Sequence, residues 1–299
     1  MYREVGAWSE ADPPPGSVVV GYNGRDHSRE ALMWGAQEAV QQGAPLLVVF
    51  AANYPGMNVD PGPGLFERDP GALDAAYDVT GRGVAEVMAA YPGLWVAGAT
   101  EVTSAAQAMT AASKEATLVV LGSRGYGRVA GALLNSVGFA VAARAACPVI
   151  VVKDGTAARP AGPEHRVVVG TDGSAPAGAA VRFAADRAAA AVATLEILTC
   201  TGGHLVDNVD ERELRASAAQ IAESAADQLR GSHPGLHVTT RVEDCPAELA
   251  LLGAASDAGL VVVGTRGRGA FEGMFLGSVS HAVIHGADCA VAIVDEGQA

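Results

Sequence analysis

The sequence contains a long internal repeat, and this duplication limits the folds that the chain can adopt. The segment at 17–24 reads SVVVGYNG and recurs 149 residues later as RVVVGTDG. The segment at 118–127 reads LVVLGSRGYG and recurs 142 residues later as LVVVGTRGRG. Because this period is far longer than a solenoid unit, the 299 residues are predicted to form two domains of the same fold.

We place these domains at residues 16–153 and 165–295. The sequence between them, KDGTAARPAGPEH, has the small and polar composition of a linker. The two offsets differ by seven residues, which indicates an insertion in the first copy. The stretch at 53–71 is rich in Pro and Gly and is predicted to be this enlarged loop.

Short apolar runs alternate with longer Ala-rich stretches in both copies. In the second copy, strands are predicted at 166–171, 194–200, 236–242, 259–263 and 289–294, and helices at 176–191, 208–231, 246–256 and 278–288. Uninterrupted apolar runs are typical of strands buried on both faces. The fold class is therefore predicted to be α/β, with two tandem doubly wound domains. Each is expected to be a five-stranded parallel sheet with helices on both faces.

Two short patterns predict helix starts. Ser104 is followed three residues later by Gln107, as in a capping box. Asp244 is followed by Pro246, which suits the first turn of a helix.

Charge and lysine content exclude some functions. The chain has 33 acidic and 20 basic residues, and its net charge is −13. Such a surface repels phosphate backbones, so we expect no nucleic-acid partner. The two lysines, Lys114 and Lys153, do not follow a glycine, which excludes a P-loop of the GxxxxGK[ST] type.

The sequence predicts a cytoplasmic protein without a membrane partner. It has no apolar run of 18 residues and no signal-peptide pattern at its start. Its four cysteines form no CxxC pair, which suits reduced thiols. Cys147 and Cys289 hold equivalent positions before the final strands, where core packing is the expected role.

The candidate ligand site of the second copy lies in two loops that follow predicted strands. Ligands of open α/β sheets bind beyond the carboxyl ends of the strands. One loop contains Asp172, an acceptor for a sugar hydroxyl, a metal ion or an adenine edge. The other, at 264–278, reads GTRGRGAFEGMFLGS, and its glycines allow backbone N–H groups to approach an anion. Gly277 and Ser278 open a helix whose first N–H groups favour phosphate, and Arg266 either adds charge or is solvated.

The spacing Gly264-x2-Gly267-x9-Gly277-Ser278 resembles the G-x2-G-x9-G-[ST] signature of the universal stress protein family. The VGTDGS turn, the GSVS helix start and the ACPVIVV strand of the first copy extend this resemblance over nearly all of both copies. The resemblance implies a Rossmann-like domain of the adenine-nucleotide hydrolase-like type. It also implies a protein of the stress response.

The resemblance further implies the residues that hold ATP, expected together with Mg²⁺. Asp172 would face the nucleotide, and the end of the second strand, at Thr199 or Cys200, would line the adenine. The phosphates would lie on Gly264, Gly267, Gly277 and Ser278, with Val279 in backbone contact.

The first copy departs from this pattern at two positions. It keeps Gly122, Gly125 and Ser136, but Asn135 replaces the third glycine and Asn23 replaces the aspartate. Asparagine tolerates left-handed backbone angles, so the loop conformation is allowed. Its side chain fills space where a phosphate would lie, and we expect this site to be weakened or lost.

Structural interpretations compete with some of these assignments. The glycine-rich loops also suit tight connections without a ligand, and Ser174 and Ser278 also suit helix N-caps. His281 and His285 have the i, i+4 spacing of zinc ligands, but their first-copy counterparts are Phe139 and Ala143. We therefore expect no metal site formed by protein side chains alone.

The predicted function is nucleotide-dependent regulation or sensing in a stress response. No GxSxG, HExxH or kinase motif is present, so we expect no enzyme beyond slow ATP hydrolysis. The expected partners are an adenine nucleotide, a regulated protein and a second copy of the chain in a homodimer. The alternative is a nucleotide-independent adaptor whose phosphate loops serve only the fold.

Overall fold

The computed structural model describes residues 15–52, 70–123, 137–153, 155, 159–202, 210–267 and 276–298. The chain divides into two compact units, Met1–Ala157 and Ala158–Ala299. Within the described ranges, no helix is both long enough and apolar enough to cross a membrane.

The first unit alternates strands and helices from its first strand to its last. Its strands are β1 (Ser17–Gly21), β2 (Leu46–Ala51), β3 (Val96–Glu101), β4 (Ala116–Gly122) and β5 (Val149–Val152). Its helices are α1 (Asp26–Gln42), α2 (Pro70–Ala90), α3 (Ala105–Ala112) and α4 (Val137–Ala142). Most of the predicted enlarged loop, 53–69, lies outside the described residues.

The second unit repeats this order. Its strands are β6 (Val167–Gly170), β7 (Leu195–Cys200), β8 (Val238–Glu243), β9 (Leu260–Gly264) and β10 (Ala290–Val294). Its helices are α5 (Ala175–Ala190), α6 (Glu211–Ser232), α7 (Ala247–Ala254) and α8 (Ser278–Gly286), and a short 3₁₀ helix follows at Glu296–Gln298. The predicted strands match these bounds to within two residues.

Each unit contains a five-stranded parallel sheet, which confirms the predicted fold class. The strand order is β3-β2-β1-β4-β5 in the first unit and β8-β7-β6-β9-β10 in the second. Helix α1 contacts α2 and α3 contacts α4, and the second unit repeats these pairs, as right-handed crossovers on opposite faces require. The central strands are fully buried, for example Val18, Val19 and Val20 in β1.

Both predicted helix starts are confirmed, since α3 begins after Ser104 and α7 begins after Pro246, but they differ in how the first turn is capped. Ser104 is the N-cap of α3, and its hydroxyl oxygen accepts a hydrogen bond from the Gln107 N–H at 3.3 Å. Helix α7 has Pro246 as its N-cap and no side-chain cap. The Asp244 carboxylate instead forms an ion pair with Arg215, because that guanidinium, extending from α6, is a stronger partner than an N–H group.

Candidate functional site

The predicted site of the second unit lies where the order of its strands reverses. Strands β7 and β9 flank β6 on opposite sides, and their connections leave a crevice at the carboxyl ends of β6 and β9. Asp172 lies two residues beyond β6, and Gly267 lies three residues beyond β9. The topology therefore brings the two predicted loops to the same crevice.

The turn after β6 fixes the direction of the Asp172 carboxylate. Its Oδ1 accepts a hydrogen bond from the Ser174 N–H at 2.9 Å, which is the bond of an Asx turn. Gly173, between them, has a φ of 76°, an angle that favours glycine. The other carboxylate oxygen, Oδ2, lies on the side of the glycine loop.

The glycine loop approaches this carboxylate at Gly267. A Cβ atom built on Gly267 would lie 2.6 Å from Asp172 Oδ2. Both residues are predicted to hold the ligand, and the fold places them in contact although 94 residues separate them in the chain. A side chain at 267 would therefore displace the carboxylate from its present position.

The first glycine of the loop, Gly264, has a packing role. It is buried, and a Cβ atom there would lie 2.9 Å from the carbonyl carbon of Pro176, in the first turn of α5. Its own carbonyl oxygen accepts a hydrogen bond from Ser280 Oγ at 2.7 Å. Gly264 therefore lets β9 and α5 approach each other, and this role accounts for the glycine without a ligand.

The loop returns to the crevice at Gly277, which is the N-cap residue of α8. The Gly277 N–H donates to the Thr265 carbonyl at 2.8 Å and fixes the helix start beside β9. Because Gly277 has no side chain, the N-cap residue of α8 makes no side-chain cap. Ser278 is its exposed first residue and Val279 follows half-buried, so the interpretation of Ser278 as the N-cap is wrong. The first turn of α8 thus begins with N–H groups that its own N-cap residue, a glycine, does not cover.

The contrast with α5 shows that this arrangement is not general. Ser174 is the N-cap of α5, and its Oγ accepts a hydrogen bond from the Ala177 N–H at 3.4 Å. The structural interpretation of Ser174 is therefore confirmed. Of these two helix starts at the crevice, the α5 start is capped by the side chain of its N-cap residue and the α8 start is not.

Arg266 lies between the two glycines and is half-exposed. Its Nη2 is 3.9 Å from Asp295 Oδ1, just beyond the end of β10. The guanidinium therefore has an acidic neighbour. This differs from the interpretation in which Arg266 is only solvated. Sequence reasoning missed Asp295 because it contacts this loop only through the pairing of β9 with β10.

The end of β7 contributes Cys200 and excludes Thr199. The Thr199 hydroxyl is buried and donates to the Ala218 carbonyl in α6 at 3.1 Å, so its side chain faces away from the crevice. Cys200, the next residue, has the opposite orientation in the strand and is half-buried. Burial, reinforced by the neighbouring Cys245 and Glu243, raises the pKa of the Cys200 thiol to about 12. This side chain is a neutral, weakly polar wall at physiological pH.

In the first unit, only part of the equivalent site is described. Gly122 repeats the packing of Gly264, since a Cβ atom there would lie 2.6 Å from the His27 carbonyl oxygen. Asn23 Oδ1 accepts hydrogen bonds from the Arg25 N–H at 3.1 Å and from Ser28 Oγ at 2.7 Å. The remaining predicted residues, Gly125, Asn135 and Ser136, lie outside the described residues.

Other candidate sites are weaker. The rings of His281 and His285 pack edge to face, with centroids 4.6 Å apart, and the described residues contain no cluster of three metal-ligating side chains. Cys147 and Cys289 are buried as expected, and burial raises the pKa of Cys147 to about 12.

A cavity of about 870 Å³ lies in the first unit, away from the crevice. Its lining includes Pro45, Tyr91 and Trp95. Pro45 and Trp95 precede β2 and β3, so this cavity is at the amino ends of the strands. Ligands of parallel sheets bind beyond the carboxyl ends of the strands. We therefore place the functional site in the crevice.

Comparison with known proteins identifies the family of this domain. The sequence model of the universal stress protein family matches residues 16–153 and 164–295. Universal stress protein Rv2005c of Mycobacterium tuberculosis is 37% identical over 282 residues, covering 90% of this chain and 94% of the relative. Universal stress protein Rv2623 of the same organism is 31% identical over 284 residues, covering 89% and 92%.

A solved structure shows the same fold. The crystal structure of a universal stress protein from Archaeoglobus fulgidus has a TM-score of 0.68 and 20% identity, covering 93% of this chain and 96% of that one. The family match in both halves agrees with the duplication in the sequence. The chain therefore belongs to the universal stress protein family, whose sequence model it matches twice in tandem.

Proposed function

We propose that the second unit binds an adenine nucleotide, ATP accompanied by Mg²⁺, in the crevice beyond β6 and β9. The observation that carries the proposal is the contact between Asp172 and Gly267, at the crevice where α8 begins without a side-chain cap. The carboxylate supplies an acceptor and the helix start supplies donors. A ligand with an anionic part and a hydroxyl-bearing part suits this combination.

The phosphate groups would be held by the first turn of α8. Its N–H groups and its dipole favour an anion, and α8 is nine residues long, which gives two full helical turns. The exposed Ser278 side chain adds a hydroxyl donor to the same turn. Arg266 adds a positive charge at the other end of the loop.

The charge of Asp172 supports a cation at the site. A carboxylate beside a polyphosphate raises the energy of the complex unless a cation or a sugar hydroxyl lies between them. Asp172 Oδ2 lies beside Gly267 of the phosphate loop, which is where such a cation or hydroxyl would have to lie. We therefore propose that Asp172 contacts Mg²⁺ or a ribose hydroxyl rather than a phosphate oxygen.

The role we propose is regulation by binding, and not fast turnover. The adenine would lie toward the neutral Cys200 thiol. Two carboxylates lie at this crevice among the described residues, and both are held by the fold: Asp172 by the Ser174 N–H and Asp295 by the Thr265 hydroxyl. A regulated protein partner, a homodimer and a cytoplasmic location stay predictions. Light scattering of the purified chain would measure the oligomeric state.

The first experiment is a calorimetric titration of nucleotide-stripped protein with Mg-ATP. We expect one site per chain, in the second unit. Two sites would show that Asn23 and Asn135 are tolerated in the first unit. A folded protein with no heat of binding would overturn the proposal and favour the nucleotide-independent adaptor. The packing role of Gly264 agrees with that alternative, because it explains this glycine without a ligand.

Gly277→Asp tests the phosphate site itself. The new carboxylate would cap α8, occupying the donors on which the phosphate depends, and would repel the phosphate. We expect the affinity for Mg-ATP to fall by at least about 100-fold, or about 2.7 kcal/mol. The cap should stabilise α8, so the loss of binding would not be due to unfolding.

Gly277→Ala is the matched control. A Cβ atom at this position would lie 3.5 Å from the nearest atom, the Thr265 carbonyl oxygen, which is an ordinary contact. The alanine variant should therefore bind within about threefold of the parent, an energy difference of about 0.7 kcal/mol. Unchanged binding by the aspartate variant would exclude the α8 start as the phosphate site.

A further inference from the structure

Asp295 lies beside the phosphate loop although it is not part of the glycine motif. It follows β10 directly, and Val294 of that strand pairs in register with Gly264 of β9. The Thr265 N–H continues the ladder by donating to the Val294 carbonyl at 2.9 Å. Strand pairing therefore places the first residue after β10 next to the first residues after β9.

Asp295 is fixed in this position from both sides. Its Oδ1 accepts a hydrogen bond from Thr265 Oγ1 at 2.6 Å. Its N–H donates to Gln298 Oε1 at 2.8 Å, within the short 3₁₀ helix that packs against α5. The direction of the carboxylate is therefore set by the fold and not by solvent.

Thr265, whose hydroxyl donates to Asp295, also anchors the start of α8. Thr265 is buried, with a relative exposure of 5%, and its carbonyl oxygen accepts the Gly277 N–H at 2.8 Å. A shift of Thr265 would move the N-cap of α8. The hydrogen bond from Thr265 to Asp295 thus helps to orient the proposed anion site.

The same carboxylate lies next to the one arginine that the described part of this loop contains. Arg266 Nη2 is 3.9 Å from Asp295 Oδ1, and the two side chains are 49% and 38% exposed. A guanidinium paired with a carboxylate has less charge to offer to a phosphate. A phosphate that recruits Arg266 must therefore compete with Asp295.

The first unit has the opposite charge at this position. Lys153 stands 142 residues before Asp295, and it too follows the last strand of its unit. The local backbone is the same, since the Ser123 N–H donates to the Val152 carbonyl at 2.8 Å. The fold therefore tolerates either sign of charge here, and the negative charge of Asp295 is specific to the second unit.

We infer that Asp295 is a positioning residue that also lowers the phosphate affinity of the second unit. It orients the loop through Thr265, and it holds Arg266 in an ion pair that a phosphate must displace. This inference rests on the proposed nucleotide site. In that site the Asp295 carboxylate competes with the phosphate for Arg266. A ligand with more phosphate charge therefore displaces the Arg266–Asp295 ion pair more readily.

Asp295→Asn is the variant that tests the inference. Its amide oxygen still accepts from Thr265, so the loop stays oriented, but the competing charge is lost. We expect Mg-ATP to bind about threefold more tightly, the size of an exposed ion pair. The gain should disappear near 1 M salt, where charges are screened within about 3 Å. Glu296→Gln, one residue further, removes the same charge from an exposed side chain and should change the affinity by less than about 1.5-fold.

The combination with Arg266→Gln separates the ion pair from a general charge effect. In that background Asp295→Asn should bring no gain, because the arginine it releases is absent. Asp295→Ala should bind less tightly than Asp295→Asn, because it also loses the hydrogen bond to Thr265. Thermal unfolding monitored by circular dichroism should be the same for the parent and Asp295→Asn.

The outcomes distinguish this inference from the proposed function. If the parent protein does not bind Mg-ATP, the proposed function fails. If the parent binds but Asp295→Asn behaves like Glu296→Gln, the inference alone is overturned. A gain that persists in the Arg266→Gln background, or at 1 M salt, would also overturn it.

Discussion

The two units build the same turn after their first strand but use its side chain differently. Asn23 and Asp172 both accept a hydrogen bond from the N–H two residues later, at 3.1 and 2.9 Å. In the first unit, Ser28 Oγ also donates to the Asn23 oxygen at 2.7 Å. In the second unit Ala177 replaces that serine, and the second carboxylate oxygen faces Gly267. The turn requires only a short side chain with an acceptor, whereas the second oxygen of Asp172 is directed at the crevice.

The first glycine of each loop has the same surroundings in both units. Gly122 lies against the His27 carbonyl, and Gly264 lies against Pro176. Both glycines are needed so that a strand can approach the first turn of a helix. The comparison therefore separates glycines that serve the fold from groups that could serve a ligand.

The largest effect is expected from adding a side chain at this shared contact. Gly264→Ala would place a Cβ atom 2.9 Å from the backbone of α5, which cannot move without shifting the helix. We expect the free energy of unfolding of the second unit to fall by about 2–3 kcal/mol. Urea unfolding followed by circular dichroism measures it.

Gly122→Ala should have a similar effect on the first unit, since the clash there is closer. Gly253→Ala is the control, because this glycine lies in α7 with open space around its Cα. That variant should gain about 0.5–1 kcal/mol from helix propensity. A parent-like stability of Gly264→Ala would show that the contact is not required.

The next effect concerns the charge that distinguishes the two crevices. Asp172→Asn gives the second unit the side chain of the first, keeping the Asx turn while removing the charge. We expect the affinity for Mg-ATP to fall about tenfold, or about 1.4 kcal/mol. Calorimetric titration at constant Mg²⁺ measures this change, and an unaltered dissociation constant would remove Asp172 from the site.

The reverse change asks whether the first unit can be restored. Asn23→Asp combined with Asn135→Gly gives that unit the residue types of the second. We expect the stoichiometry to rise from one nucleotide per chain toward two. If it stays at one, other residues of the first unit block binding.

The smallest effect comes from the end of the first helix of each unit. Gly43 and Val192 hold equivalent positions and have left-handed φ angles of 62° and 54°. The N–H of the next residue donates to an alanine carbonyl five positions earlier in both units, at 2.9 Å after Gly43 and 2.8 Å after Val192. A β-branched residue is strained in this conformation. Val192→Gly should therefore raise the free energy of unfolding by about 0.5–1 kcal/mol, measured by urea unfolding.

Val40→Gly provides the matched control for this prediction. Val40 is half-exposed, and it lies within α1, where glycine is unfavourable. The same substitution should there lower the stability by about 0.5–1 kcal/mol. A loss of stability in Val192→Gly would show that its side chain contributes more than its backbone strain costs.

The repeat and the apolar runs were enough to predict the architecture. Uninterrupted runs such as VVVG can form strands buried on both faces, and their alternation with helices leaves few topologies. The helix start at Ser104 was equally local and was confirmed. The helix start at Pro246 was confirmed as well, although the Asp244 carboxylate pairs with Arg215, which is distant in sequence, and does not cap the helix.

The residues that line the crevice were predicted only in part. Sequence spacing identified Asp172, Gly267 and Gly277, which the fold brings to one crevice. It also gave Gly264 and Thr199 ligand roles, but Gly264 packs against α5 and the Thr199 hydroxyl bonds to α6. A signal for Ser280 was present in the GSVS pattern, although its bond to the Gly264 carbonyl could not be derived from it.

The sequence by itself determined the duplication, the α/β class and the residue types of the two loops, because these depend on local pattern and periodicity. The tertiary structure decided which way each side chain points and which distant residues become neighbours. Asp295 reaches Thr265 and Arg266 because β10 pairs with β9, and Asp172 reaches Gly267 because β6 does. These contacts depend on strand order and register, which join residues far apart in the chain and leave no local signal in the sequence.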